Sequence, residues 1–220
     1  MSRYCRPLAL LLLVAALPAT AWADRDYRVE VIVFEQSGGN RAGEQWPDPP
    51  PPVGFEHYAR LDGDTTSVTP ERFRERPGGE LGHRNVAAAL DRSGTYRLHL
   101  HTGWVQPGVD RAAARAVALP PGRSPRPPGL PALDADGDGG DDSGRGVEPG
   151  AEPPEGLSGG VRVWRGRHLH VEVDLRLYPE AGEDADVVTM QARQRVDRDT
   201  LTYVDHPELG VLVYIERAGD

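Results

Sequence analysis

The chain contains no lysine, so all 25 of its basic residues are arginine, set against 34 acidic ones. A formal charge of -9 repels nucleic-acid phosphate and argues against a generic nucleic-acid binder. Cysteine occurs once, at Cys5. Apolar residues make up 38% of the 220 and aromatics 6%, below ordinary globular usage. That scarcity excludes a multi-span membrane protein and a coiled coil. What is abundant instead is glycine, 26 residues, and proline, 21, about a fifth of the chain against a usual share of roughly 12%. Part of the chain is therefore expected to stay outside any core. Absent too are GxSxG, a P-loop and a GxGxxG, so no common nucleophile or phosphate-cradle motif points to catalysis. The abundant carboxylates leave a sugar-hydrolysing pair conceivable, but a solvated acidic surface explains them more cheaply.

Residues 1–23 read MSRYCRPLALLLLVAALPATAWA. Arg3 and Arg6 precede an apolar run from Leu8 to Leu17, and Ala21-Trp22-Ala23 offers small residues at a cleavage site. The pattern predicts a secretory signal peptide cut after Ala23, because the run is short for a membrane span. Cleavage removes Cys5, and with it any thiol nucleophile, disulfide, cysteine-based zinc site or lipid anchor. The mature chain then carries 23 basic and 34 acidic residues, a formal charge of -11.

The mature chain, 24–220, reads as one α+β domain. Its expected core is an antiparallel sheet of about five or six strands with two short helices. Tyr27, Val29, Val31 and Val33 alternate against Ile32 and Phe34, which predicts a strand buried on both faces. Thr69-Pro70 reads as the start of one short helix, and 85–91 (NVAAALD) as the other. In 95–105, Tyr96, Leu98 and Leu100 are expected on one face of a strand and Arg97, His99 and His101 on the other. Strands 161–164 and 167–178 flank Arg165-Gly166 and predict a hairpin, with further strands at 187–196 and 210–216. Between them lies a Pro/Gly/Asp-rich insertion at about 108–158, predicted to be disordered. From 120 to 158 it holds nine prolines and nine glycines.

Two metal-like features stand out. His99-x-His101 and His168-x-His170 could each place two imidazoles on one strand face. A wet sheet face shared with Arg97, Glu172 and Asp174 explains them equally. The run from Asp134 to Gly139 matches half of a calcium loop, but Arg145 stands where the bidentate glutamate belongs. Asp205-His206-Pro207 suggests acid–base chemistry or, more simply, a turn before proline. Trp46, Trp104 and Trp164 sit beside polar residues, with Trp104 expected in the core. Arg162, Arg165 and Arg167 cluster at the hairpin, where aromatic faces and guanidinium forks suit sugars and carboxylates.

The ordered segments also resemble a known family. The pieces are YRVEVIVFEQ at 27–36, EQWP at 44–47, LDRSGTYRLHLHTGWVQP at 90–107, VRVWRGRHLHVEVDLRLY at 161–178 and YVDHPELGVLVYI at 203–215. Together and in this order they resemble the CsiV family of periplasmic peptidoglycan-binding proteins of Gram-negative bacteria. The resemblance implies a non-catalytic periplasmic protein that binds peptidoglycan and supports cell-wall assembly and cell shape, and no cofactor or metal is expected. It also implies action with an outer-membrane lipoprotein activator of a penicillin-binding protein. The acidic charge departs from it, since peptidoglycan is rich in carboxylates and demands a local Arg/aromatic patch. Our own reading of the residues puts that patch at Arg97, His99, His101, Trp164, Arg167, His168 and His170, with Trp164 as the stacking platform. The alternatives are an adaptor that meets only the lipoprotein through an apolar surface, and a metal-binding protein built on the HxH pairs.

Overall fold

A computed structural model describes residues 26–36, 55–121, 156–178 and 187–219. The expected signal peptide, Trp46 and the calcium-like run lie outside the described residues.

Strand β1 (Asp26–Gln36) carries apolar side chains on both faces and so takes a central place in a sheet. It pairs antiparallel with β4 (Tyr96–Pro107) on one side and β10 (Leu209–Arg217) on the other. Outside β10 runs β9 (Thr202–Val204). Outside β4 lie β3 (Arg72–Glu75) and then β2 (Arg60–Asp62), the latter two parallel to each other. A second antiparallel sheet has the order β5 (Ala116–Leu119), β6 (Gly156–Arg165), β7 (Leu169–Tyr178) and β8 (Val188–Val196).

The two sheets close over one apolar core. Tyr27, Val29, Val31 and Val33 of β1 meet Leu169, Val171, Val173, Leu175 and Leu177 of β7 in it. Each such side chain contributes about 1.5–3 kcal/mol by leaving water. Trp104 is fully buried, and its Nε1 donates to Gln106 Oε1 at 2.9 Å. Gln106 Nε2 donates onward to the Val163 carbonyl in the other sheet at 3.0 Å. Beyond the last β5 pair, β6 is finished by this side chain and by Val109, whose carbonyl accepts from Arg165 N at 2.8 Å.

The other face of β1 is covered by α1 (Arg84–Arg92), through a small cluster of Ile32, Phe34 and Ala87 with Val86 and Leu90. Glu30, on this same face, is 3% exposed and receives the loop before the helix. It accepts from Gly82 N at 2.9 Å, His83 N at 2.8 Å and His101 Nε2 at 2.7 Å. Burial pushes its carboxyl up, but these hydrogen bonds outweigh burial and hold it below 4.5.

Several expectations need correction. The protein is mostly β, with ten described strands in two sheets rather than one sheet of five or six. Alternation reports which face is apolar but not which strand sits alongside. Only one of the two expected helices forms as an α-helix. At Thr69 the chain instead makes a turn in which Thr69 Oγ1 and its carbonyl accept from Arg72 N at 3.2 Å, and it continues into β3. Phe73 drives this, because as a strand residue it is fully buried in the core. The stretch expected as a disordered insertion contains β5 and the start of β6, while 122–155 lies outside the described residues. The hairpin is present, with Gly166, Arg167 and His168 as its loop, so β7 begins at Leu169 rather than 167.

Candidate functional site

The outer face of the four-stranded sheet, away from the core, is built from alternate residues of β6, β7 and β8. Cross-strand register sets Trp164 against His170, Arg162 against Glu172 and Gly160 against Asp174. On the next strand Arg195 faces His170, Arg193 faces Glu172, and Gln191 faces Asp174. Two loops rise over this floor. Phe55–His57 leads into a segment that pairs along β5, through Ala59 N to Ala116 O at 2.8 Å and Ala116 N to His57 O at 3.1 Å. Residues 111–114 form the second wall.

Between floor and walls lies an open cleft of about 840 Å³, lined by Phe55, His57, Arg111, Arg162, Asp174 and Arg193 among others. The absence of a side chain at Gly160 lets the aromatic wall come down, since a Cβ there would lie 2.9 Å from Tyr58 Cε1 and 3.3 Å from Phe55 Cδ2. Arg162 is fixed twice. Its Nε donates to Glu172 Oε2 at 3.1 Å, and its guanidinium lies 5.0 Å from the Phe55 ring centroid.

Asp174 is the unusual group. It is buried at the cleft floor, with Arg176 Nη1 at 3.3 Å from one oxygen. Both oxygens are sealed from solvent, and Gln191, opposite on β8, is the side-chain hydrogen-bonding neighbour of the carboxyl. Burial raises its pKa, against the pull of Arg176. Burial also pushes the neighbouring Tyr58 hydroxyl up to about 12, so it stays protonated.

The sequence-derived site residues do not assemble into one patch. Arg97, His99 and His101 lie on β4 of the six-stranded sheet, whereas His170 lies on β7 of the other. The four imidazoles of the two HxH pairs therefore do not converge. Even the first pair is split. Val33 pairs with Leu100 but Phe34 pairs with Leu98, so His99 is the extra residue of a bulge. His99 Nε2 meets Glu35 Oε2 at 3.2 Å, and His101 Nε2 meets Glu30 on the opposite face of β1. Among the described residues no group of three or more His, Cys, Asp or Glu side chains is placed to hold a metal ion.

Trp164 is 6% exposed rather than an open platform. His170 stacks on it at 5.1 Å and 11°, and Arg111 and Arg162 lie 5.6 and 5.8 Å from its ring. This packed column borders the cleft and holds Arg111 and Arg162 in position. Arg167 and His168 line a separate recess near the hairpin loop. His206 takes the turn role, its Nδ1 accepting from Glu208 N and Leu209 N at 3.3 Å, and burial lowers its pKa. Sequence reasoning missed Phe55, His57, Arg111, Gln191 and Arg193. The alternation QARQR in β8 carried a signal for the last two, but nothing local marked the loop residues.

An open cleft of paired arginines and carboxylates beside aromatic rings, on the outer face of a sheet, has the chemistry to hold a polar ligand. The chain belongs to the CsiV family, whose description is peptidoglycan-binding protein, and the match spans residues 7–218. No curated protein and no solved structure matches it.

Proposed function

We propose that this protein is exported to the periplasm, binds peptidoglycan without catalysis, and supports cell-wall assembly and cell shape. The binding surface in this reading is the cleft on the outer face of the four-stranded sheet, bordered by the Trp164–His170 stack. The observation that carries it is the arginine-lined cleft itself. In a chain of net charge -9, Arg111, Arg162 and Arg193 converge beside Phe55, with Glu56, Glu172 and Asp174 also in the lining. Guanidinium forks suit stem-peptide carboxylates, while Gln191, exposed on β8, suits the hydroxyl and amide hydrogens of an amino sugar and its peptide.

A role beside an outer-membrane lipoprotein activator of a penicillin-binding protein is part of this reading and rests on the family resemblance. The adaptor alternative called for an apolar surface. Among the described residues Tyr203, at 42%, is the exposed large hydrophobic. That distribution favours direct wall binding.

The test is co-sedimentation with purified sacculi at low and high salt, beside an acidic control protein. The wild type should pellet at both salts. An Arg111→Ala/Arg193→Ala variant with an unchanged circular dichroism spectrum should bind about tenfold more weakly or worse, from the loss of two charged donors. Equal pelleting by the folded variant would remove the site from this cleft. Wild-type protein left in the supernatant at both salts would remove direct wall binding.

A further inference from the structure

At the end of the second sheet, where the β6–β7 loop meets the turn after β8, lies a recess of about 240 Å³ that the cleft does not include. Arg165 and Arg167 come from the hairpin, Arg198 from the turn and Arg217 from the end of β10, with His168 beside them. Four arginines thus line a recess with one carboxylate, Asp197, which Arg195 already holds at 3.2 Å.

Several arginines elsewhere in this acidic chain are neutralised. Arg28, Arg162, Arg176 and Arg115 each meet a carboxylate. Among the described residues, none of the four arginines of the recess does. In addition, Arg217 Nε is buried without a hydrogen-bond partner. Like charges brought together with an orphaned buried donor are costly unless something anionic completes them.

We propose that this recess is a binding site for a phosphate-class oxyanion, a phosphomonoester or pyrophosphate. The recess is far smaller than the cleft, about 240 against 840 Å³, which suits a compact group. One carboxylate satisfies one guanidinium fork, whereas a phosphate or pyrophosphate carries several oxygens and more than one charge. It can engage donors arriving from three separate segments at once. Such an anion reaches the recess either free in solution or as the headgroup of a lipid.

The site is distinct from the cleft assigned to peptidoglycan and is tested apart from it. The first arm is calorimetric titration of the mature chain with inorganic pyrophosphate at low salt, with acetate as the carboxylate control. The second is flotation with phosphatidylcholine vesicles with and without phosphatidic acid, which presents a terminal phosphomonoester. The wild type should bind pyrophosphate with one-to-one stoichiometry and more tightly than acetate. Arg167→Gln/Arg198→Gln, two exposed positions, should weaken it about tenfold to a hundredfold, while Arg72→Gln leaves it unchanged. Recruitment to phosphatidic-acid vesicles with little pyrophosphate binding would assign the lipid-borne source, and the reverse the free one. Binding of neither probe, acetate binding as tightly as pyrophosphate, or a double variant that matches the wild type in both arms would overturn the site. Sacculus pelleting by the same double variant should be unchanged, so failure here and failure of wall binding are read separately.

Discussion

Replacing Glu30 with glutamine isolates the buried carboxylate that seats α1 on the six-stranded sheet. Its two oxygens accept from Gly82 N, His83 N and His101 Nε2 at 2.7–2.9 Å, with His83 Nδ1 at 3.4 Å. A hydrogen bond to a charged group contributes roughly 1.5–3 kcal/mol. Glutamine keeps one acceptor oxygen but turns an NH2 group toward donors, so at least one of the three bonds is lost and replaced by a donor–donor contact. The expected cost at pH 7 is about 2–4 kcal/mol, a large part of the 5–15 kcal/mol typical of a domain. The pH dependence is the sharper signature. The native carboxyl lies below its ordinary value, so the charged form stabilises the fold above the unfolded-state pKa, and that stability is lost as pH falls through the native value. The deficit of Glu30→Gln should therefore shrink at acidic pH, where the unfolded chain takes up the proton before the folded one. Urea denaturation followed by tryptophan fluorescence at pH 7 and pH 3.5 measures both numbers. A deficit under about 0.5 kcal/mol at pH 7, or the same deficit at both pH values, would refute the account.

Three further substitutions probe the contact between the sheets and the β6–β7 pairing. Gln106→Leu should cost about 2–4 kcal/mol in urea denaturation, because it orphans the buried Trp104 Nε1 and the Val163 carbonyl. Adding Trp104→Phe should cost less than the sum of the two single changes, and strict additivity would show that the bridge is not a coupled unit. Gly159→Ala should destabilise by more than about 3 kcal/mol or abolish folding, since it combines a strained φ with a backbone clash. Gly159 sits at φ 133°, with the Asp174 carbonyl only 2.1 Å from where a Cβ would stand. A soluble variant with near wild-type thermal unfolding would show that β6 and β7 can separate there.

Local pattern made much of the scaffold readable. The two-faced apolarity of 27–34 announced a central strand, and β1 indeed lies between β4 and β10 with a core on each side. The alternation of Leu169 to Leu177 announced the core face of β7, because strand side chains have a strict period of two, but the expected wet face of Glu172 and Asp174 is covered by the cleft walls, and Asp174 is buried. That same period misled at β4. One unpaired residue, His99, reverses every face assignment across the bulge, and no property of the local string HLHLH reveals it. The short strands β2, β3, β5 and β9 were silent for a related reason. Runs of three or four residues carry too little periodicity, and their partners, not their composition, make them strands.

By itself the sequence determined the character of the protein: a lysine-free acidic chain, a strand-rich apolar scaffold, the hairpin at Gly166, and enough family pattern to name CsiV. These are properties of neighbouring residues and survive any arrangement of the strands. Only the tertiary structure decided which side chains meet. It sent the two HxH pairs to different sheets and buried Trp164 among His170, Arg111 and Arg162. It also brought Phe55 and Arg193, 138 positions apart in number, to one cleft, and Arg167 and Arg217 to one recess. The physical reason is that sheet order and loop closure are set by burial of the shared core. The polar residues left outside it take whatever neighbours that packing supplies.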